Sequence, residues 1–376
     1  MRRAVVFGLL HAGLAVSRSL GRAGIPVTGI ARDSHEFGLR SRYLEHRLVV
    51  PPQNDDAVLE VLQGERAVFF PERDEHVEFV LRHWEDVHAL ADTPLPNDAE
   101  AVRRLRRKDL LPLAAAEADV PTPGTVLADS DDAVRDAGLR PPLVVKAAEG
   151  QDYSLVFGQK AVLARDVDEA LAAVGQAREL GFQMIVQEVV PDSHERVYSL
   201  LTYIGRSGEP LVTLVGRKVR QGPLRFGTSA VFEVDYEPRV LDLGLRLLRS
   251  VGYTGIAHVE FAQDPRDGEF QLLEVNTRLP VWAALASHRQ LDLPRLAYED
   301  LSGTEVVPVP TFTDQLTWIY LAKDVWVSLQ MARRRELRAG EFASRYLRGP
   351  KARAVFARDD PWPAVASLGY LRSRAP

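Results

Sequence analysis

Residues 258–278 read HVEFAQDPRDGEFQLLEVNTR. Two runs in which apolar and polar residues alternate flank Asp264-Pro265-Arg266-Asp267-Gly268, and Pro together with Asp-Gly is turn chemistry. With a side-chain period of two, His258, Glu260 and Ala262 share one face of the first strand, and Leu272, Glu274 and Asn276 share one face of the second. If Glu260 stands opposite Glu274, the midpoint of the hairpin is residue 267, inside the turn, so the register is self-consistent.

That register sets like charges against each other. At an effective dielectric of about 20, two carboxylates roughly 4 Å apart repel by about 4 kcal/mol, too much for an ordinary cross-strand pair. A divalent cation removes the conflict. Carboxylate and amide oxygens are hard ligands suited to Mg²⁺, which keeps coordination positions for water and phosphate oxygens. Glu260, Glu274 and Asn276 are therefore the candidate metal ligands. The competing reading is a solvated hairpin whose acids face water.

The chain has 376 residues, 46% of them hydrophobic and 26% charged, enough for two or three domains with a sizeable core. A net charge of −5 gives no general attraction to nucleic acid. With no Cys there is neither a disulfide framework nor a thiolate nucleophile, and the nine His show no HExxH-type spacing. The opening MRRAVVFGLLHAGLAV resembles a weak signal peptide, but His11 and the helix pattern that follows argue against one. No run reaches the roughly 18 apolar residues of a membrane span, so the sequence predicts a cytoplasmic protein.

Along the chain, Ala4 to Phe7 reads as a strand, Gly8 to Gly13 as a loop, Leu14 to Ala23 as a helix and Ile25 to Ile30 as a second strand. Runs at 47–50, 67–70 and 87–90 continue as strands with a helix over 75–83, which predicts a parallel sheet for residues 1–100. Residues 98–118 read as one helix carrying Lys108, ended by Val120-Pro121-Thr122-Pro123-Gly124. A strand over 143–145 delivers Lys146; strands over 182–190, 196–205, 211–217 and 230–234 and helices over 167–180 and 238–250 lead to the acidic hairpin. The domain boundaries expected are 1–100, 101–190, 191–305 and 306–376. The last segment reads as a helical extension with Trp318, Tyr320 and Trp326, running into a basic tail. That tail could touch anionic lipid, though a solvated helix packed by its aromatics is the simpler account.

A lysine at a helix, a second lysine ending an apolar strand, a Gln-Glu hinge strand, a basic strand VGRKVRQGP and the acidic hairpin follow one another in this order. The order resembles the ATP-grasp superfamily from Lys108 to Arg278. The segments RSLGRAGIPV, FPERDEHVEFV and DPRDGEFQLLEVNTR are most similar to D-aspartate-ligase-like carboxylate-amine ligases. The resemblance implies an N-terminal Rossmann-like domain, a two-lobed ATP-grasp fold, ATP with Mg²⁺ (or Mn²⁺ in its place), and small-molecule carboxylate and amine substrates. A homodimer is among the assemblies it allows; no nucleic-acid partner is expected.

Carried over by residue, the resemblance puts Lys108 and Lys146 on the α- and β-phosphates, where a compact ammonium is a natural partner. Gln187, Glu188 and the backbone of Val189 and Val190 would meet adenine, and Glu195 the ribose. Lys218 and Arg220, with Arg217 and Arg225 nearby, form a cation cluster that would repel itself unless an anion sits in it; Arg278 would hold the γ-phosphate or an acyl phosphate. Asp74 and Glu75 are candidates for a substrate ammonium. The loop 149–154 holds one Gly where relatives carry a glycine-rich lid, and Asn276-Thr277-Arg278 replaces the common Asn-Pro-Arg. The reaction implied is ATP-dependent amide formation through an acyl phosphate, the alternatives being a bicarbonate-activating ligase or a non-catalytic nucleotide-binding scaffold.

Overall fold

The computed structural model describes residues 1–149, 161–192, 196–224, 227–288, 290–337, 340, 342, 346–347 and 349–373. The chain opens with β1 (Ala4–Phe7), α1 (His11–Arg22), β2 (Val27–Ala31), β3 (His46–Val49), α2 (Asp56–Leu62), β4 (Ala67–Pro71), α3 (Asp74–Arg82), α4 (Trp84–Leu90) and β5 (Ala91–Asp92). Its five strands form a parallel sheet in the order β3-β2-β1-β4-β5. β1 and β4 are buried along their whole length, which is why they read as unbroken apolar runs rather than as alternation.

Two local expectations change. Residues 87–90 belong to α4 and the strand is only Ala91–Asp92, because a four-residue apolar run has no period that separates strand from helix. Helix α1 starts at His11 and includes Gly13, where a Cβ would lie 1.7 Å from the Gly8 carbonyl oxygen. Glycine there lets the first turn of the helix lie against the end of β1.

The helix expected over 98–118 is two helices, α5 (Ala99–Arg106) and α6 (Leu111–Glu117). Asp98 caps α5 by accepting the Glu100 N–H at 2.9 Å; Arg107 is extended, and Pro112 in the first turn of α6 has no N–H to continue the ladder. Lys108 lies in the break between them, its N–H bonded to the Ala148 carbonyl at 3.0 Å.

A small lobe follows: β6 (Thr125–Leu127), α7 (Asp131–Asp136), β7 (Leu143–Ala147), β8 (Val162–Ala164), α8 (Val167–Glu179) and β9 (Met184–Glu188), with an antiparallel sheet ordered β6-β9-β7-β8. The large lobe holds β10 (Val197–Ile204), β11 (Pro210–Gly222), β12 (Thr228–Val234), α9 (Pro238–Ser250), β13 (Gly255–Gln263), β14 (Phe270–Asn276), α10 (Ala283–Ala286) and α11 (Leu293–Leu301). The C-terminal segment adds β15 (Thr317–Ile319), α12 (Leu321–Arg333), β16 (Lys351–Arg353) and α13 (Trp362–Ser373). It is therefore not purely helical: β15 and β16 complete a seven-stranded sheet, β14-β13-β10-β11-β12-β15-β16. Trp318 sits in β15 opposite Phe232, fully buried, so of the three aromatics placed on a helix only Trp326 is in one.

One apolar cluster joins α1 and the N-terminal sheet to the large sheet, through Leu14, Val16, Tyr203, Phe232, Trp282 and Trp318. Trp282 stacks on Phe232 at 4.0 Å and 9°, a geometry that adds about 0.5–1.5 kcal/mol beyond the buried area. This shared core holds the end of β4 beside the end of β14. Among the described residues no helix is long and apolar enough to cross a membrane.

Candidate active site

Strands β13 and β14 pair antiparallel with His258 opposite Asn276 and Glu260 opposite Glu274. The connecting turn closes on Asp264, whose carboxylate accepts the Arg266 N–H at 2.9 Å, and on Gly268 at φ +80°. The register slips by one residue between Glu260 and Phe261. In consequence Leu272 lies with Val259, Phe261 and Val275 in the apolar core, and not on the face of Glu274 and Asn276 as strict alternation predicts. The bulge keeps both acids on the cleft side while the turn half of the hairpin stays buried.

The two glutamate side chains are in hydrogen-bonding contact. Glu260 is 6% exposed, and burial followed by the charge of Glu274 pushes its carboxyl up, against the pull of Lys218. Glu274 is more open to the cleft. Burial opposes its ionisation too, but Lys218, the Asn276 amide, His258 and Lys146 together bring it down to about 2. Asn276 Nδ2 donates to Glu274 Oε1 at 3.1 Å, and Lys218 Nζ donates to Glu260 Oε2 at 2.8 Å.

Two facing carboxyls can both ionise in such a place only with positive charge between them. Among the described residues no three His, Asp or Glu are grouped to hold a metal. Two carboxylates and an amide oxygen nevertheless suit Mg²⁺, which takes only one or two carboxylates when phosphate and water complete its shell. The donor set therefore fits that ion.

From the small lobe, Lys146 Nζ donates to Gln187 Oε1 at 3.0 Å, and Gln187 Nε2 to Thr125 Oγ1 at 2.8 Å. Gln187 is thus the anchor that aims Lys146. Burial brings the Lys146 ammonium down to about 8, while Glu274 raises it and Lys108 lowers it, so the two lysines and the acid hairpin share one electrostatic environment. At the hinge the Glu188 carboxylate accepts the Arg140 N–H at 2.9 Å and its guanidinium at 3.1 Å. The N–H groups of Glu188 and Val189 bond to the carbonyls of Gly124 and Pro142. These three groups serve the fold, a correction to the expectation that Glu188 and Val189 both face adenine through them; Val190 is buried beside them. Glu195, Arg225 and residues 150–154 of the loop lie outside the described residues, as do Arg338, Arg345 and Arg348 of the basic tail.

The cation cluster of β11 disperses. Arg217 pairs with Glu233 at 2.5 Å and Asp235 at 2.8 Å, and Lys218 with Glu260. Arg220 makes two bonds to Asp324 of α12, which also accepts the Tyr346 hydroxyl at 2.6 Å. Arg220, expected in the catalytic centre, is instead locked to the C-terminal segment; register irregularities on both sides of it break the alternation with Lys218. Arg278 donates from Nε and Nη2 to Asp74 at 2.9 and 2.6 Å, and Asp74 also faces Arg106 at 3.3 Å. Asp74 and Glu75, expected to face a substrate ammonium, are paired within the chain, Glu75 with Arg73 at 2.8 Å on the surface.

Three residues of this region received no role from the sequence. His258 lies behind the ligands, its Nε2 3.3 Å from Glu260 Oε1 and its ring edge-on to Trp282 at 5.3 Å; burial, then Lys218, push it down to about 3 and keep it neutral. Its place on the Glu260 face was the available signal. Glu72, just after β4, and His76, in α3, are buried polar groups with no local pattern to mark them.

Residues 229–290 match the family described as carbamoyl-phosphate synthase L chain, ATP binding domain. The chain is 25% identical to the D-aspartate ligase of Enterococcus faecium (strain Aus0004) over 239 residues, 60% of this chain and 56% of that ligase, so it spans about half of that relative's length. In fold it is similar to an ADP complex of N5-carboxyaminoimidazole ribonucleotide synthetase, with a TM-score of 0.66, 14% identity, and 89% of this chain and 85% of that one covered. It is also similar to the biotin carboxylase domain dimer of Hydrogenobacter thermophilus 2-oxoglutarate carboxylase with MgADP and bicarbonate, with a TM-score of 0.64, 15% identity and coverage of 81% and 71%. The ATP-grasp resemblance carried by the sequence is thus met in sequence and in fold.

Proposed function

We propose that this chain of ATP-grasp fold is an ATP-dependent carboxylate-amine ligase that forms an amide through an acyl phosphate, with an amino acid or small peptide as one substrate. The observation that carries the reading is the face-to-face pair Glu260 and Glu274, with Asn276 beside it and the ammonium groups of Lys218 and Lys146 acting on it. An acid pair so arranged lacks a structural reason; a divalent cation bound with a nucleotide would supply one.

In this reading Lys108 and Lys146 hold the α- and β-phosphates, Gln187 aims Lys146, and Lys218 lies toward the γ-phosphate. Val190 and the hinge carbonyls meet adenine, since the neighbouring N–H groups are engaged. Glu260, Glu274 and Asn276 would hold Mg²⁺, whose chemistry is to neutralise charge on the phosphates. A substrate carboxylate oxygen attacks the γ-phosphorus, the bond to the bridging oxygen breaks, and ADP leaves. The amine nitrogen then attacks the acyl carbon, the carbon-oxygen bond breaks, and phosphate departs with the nitrogen's proton. The side chains position and stabilise charge, which this chemistry needs more than a covalent nucleophile. Arg278 is placed between Glu274 and Asp74 and ties the N-terminal domain to the reacting end.

Incubating the protein with ATP, Mg²⁺, hydroxylamine and a panel of carboxylic acids tests this. A hydroxamate and stoichiometric ADP are expected with at least one acid; neither product with any acid would overturn the assignment.

A further inference from the structure

Helix α12 is inverted for a helix at the surface of a folded domain. Such a helix turns its apolar stripe to the core and its polar residues to water. In α12 the buried residues are Asp324, Val327 and Ser328, two of the three polar. Asp324 is fully buried because it holds Arg220 and accepts the Tyr346 hydroxyl. The other side carries Leu321, Ala322, Val325, Trp326, Leu329 and Ala332, all exposed and spaced to fall along one face. Leu321 is 59% exposed and Leu329 56%. Trp326 rests one edge near Gly222 of β11 and leaves 51% of its surface to solvent.

Single apolar residues on a surface need no account, but a continuous row marks an interaction site. What borders the row says what it fits. The helix runs directly into Arg333, Arg334 and Arg335, all exposed, and none of them pairs with an acid among the described residues. One exposed acid, Glu336, follows them. On a chain of net charge −5 this end of the molecule is positive. The same combination recurs on α13, where the exposed Trp362 and Val365 border a cavity of ≈ 530 Å³ lined also by Arg40 and Arg47.

A second copy of this chain fits the row poorly. If two α12 helices crossed at their C-terminal ends, three arginines of each copy would meet three of the other with only Glu336 between them. Antiparallel along their length, the arginines would meet the end that carries Lys323. An anionic lipid surface matches both features. Acyl chains take the apolar side chains, a tryptophan suits the headgroup boundary, and arginines reach lipid phosphates while their stems stay in apolar surroundings.

We infer that α12 is a membrane-docking element, whose outward row enters the headgroup boundary of an anionic lipid surface with Arg333, Arg334 and Arg335 on the phosphates. Docking of this kind needs no spanning helix, and among the described residues there is none. The inference is independent of the ligase reading, because the outward row takes no part in the site around Glu260 and Glu274.

The test is co-sedimentation of the full-length protein with two sets of vesicles, one of phosphatidylcholine alone and one of equal parts phosphatidylcholine and phosphatidylglycerol. The wild type should pellet with the anionic set at a lipid concentration at least tenfold lower than with the neutral set, and high salt should weaken that binding. Trp326→Ser combined with Leu329→Ser should raise the lipid required at least tenfold. Arg333→Gln with Arg334→Gln and Arg335→Gln should do the same and abolish the difference between the two sets. Thermal unfolding by circular dichroism shows whether each variant is folded; should the serine variant not fold, the arginine variant, changed only at exposed positions, decides. No pelleting with anionic vesicles, equal pelleting with both sets, or variants that pellet like the wild type each overturns the inference. So does a wild-type dimer that the serine variant dissociates in sedimentation equilibrium without lipid binding, which would give the row to a second copy. Hydroxamate formation in the absence of lipid should be unchanged in both variants, and its failure in the wild type would overturn the ligase reading alone.

Discussion

The acidic hairpin and the basic strand β11, separated from it by β10 in the same sheet, each gather like charges and resolve them in opposite ways. On β11 each cation has its own acid: Arg217 has Glu233 and Asp235, Lys218 has Glu260, and Arg220 has Asp324. On β13 and β14 the acids face each other, and among the described residues Lys218 is the β11 cation that bonds directly to one of them. Charges that the fold has already matched are structural; charges it leaves opposed are where a ligand is missing. By this criterion Lys218 belongs to both groups and links them.

The comparison breaks most visibly at Arg220. Asp324 is fully buried and Arg220 6% exposed, so Asp324→Ala leaves a guanidinium buried without its counter-ion. A loss of about 3–5 kcal/mol is expected in urea denaturation, and the double variant Arg220→Met with Asp324→Leu should recover most of it. If Asp324→Ala is as stable as the wild type, the pair is not the structural lock described here.

Glu274→Gln removes one of the opposed acids instead. Hydroxamate formation should fall by about 100-fold, in line with the loss of one charge-stabilising group at a reacting centre, while stability without Mg²⁺ is unchanged or higher. Mg²⁺ should raise the melting temperature of the wild type and not of this variant. A variant as active as the wild type would remove the acid pair from the chemistry.

A smaller effect is expected from pH at Lys146. Burial lowers its ammonium to about 8, so the charge proposed to hold phosphate is present below that pH and is lost as pH rises through it. ATP affinity of the wild type should weaken by up to about tenfold for each pH unit above about 8. Lys146→Arg should flatten the profile, since a guanidinium stays charged; an unchanged slope in that variant would separate Lys146 from the phosphates. Smallest is Arg217→Ala, on a partly exposed pair: within about 1 kcal/mol in stability, with hydroxamate formation unaltered.

The hairpin was legible because it is local. Glu260 and Glu274 lie on consecutive strands joined by one turn, so period and turn chemistry predict their pairing; only the bulge, which turns Leu272 into the core, escaped. The order of the lysines drew its meaning from the resemblance and not from local pattern, and Lys108 sits in a helix break created by an extended Arg107 and by Pro112. The pairs Arg278 with Asp74 and Arg220 with Asp324 span 204 and 104 residues, and nothing near either partner announces the other.

Alternation of side chains and the chemistry of one turn were therefore enough to name the facing acids and the kind of cation they await, whereas a phosphate role for the lysines was implied by the resemblance alone. The packing of the N-terminal sheet on the large sheet, through an apolar core that says nothing about charge, decided which of the acids after β4 is taken and which is left open. Asp74 and Glu75 looked available in the sequence and are matched; Glu72 carried no expectation, and its Oε2 has no partner among the described residues. Local periodicity determines which face a residue is on, whereas its partner depends on what another domain brings to that face.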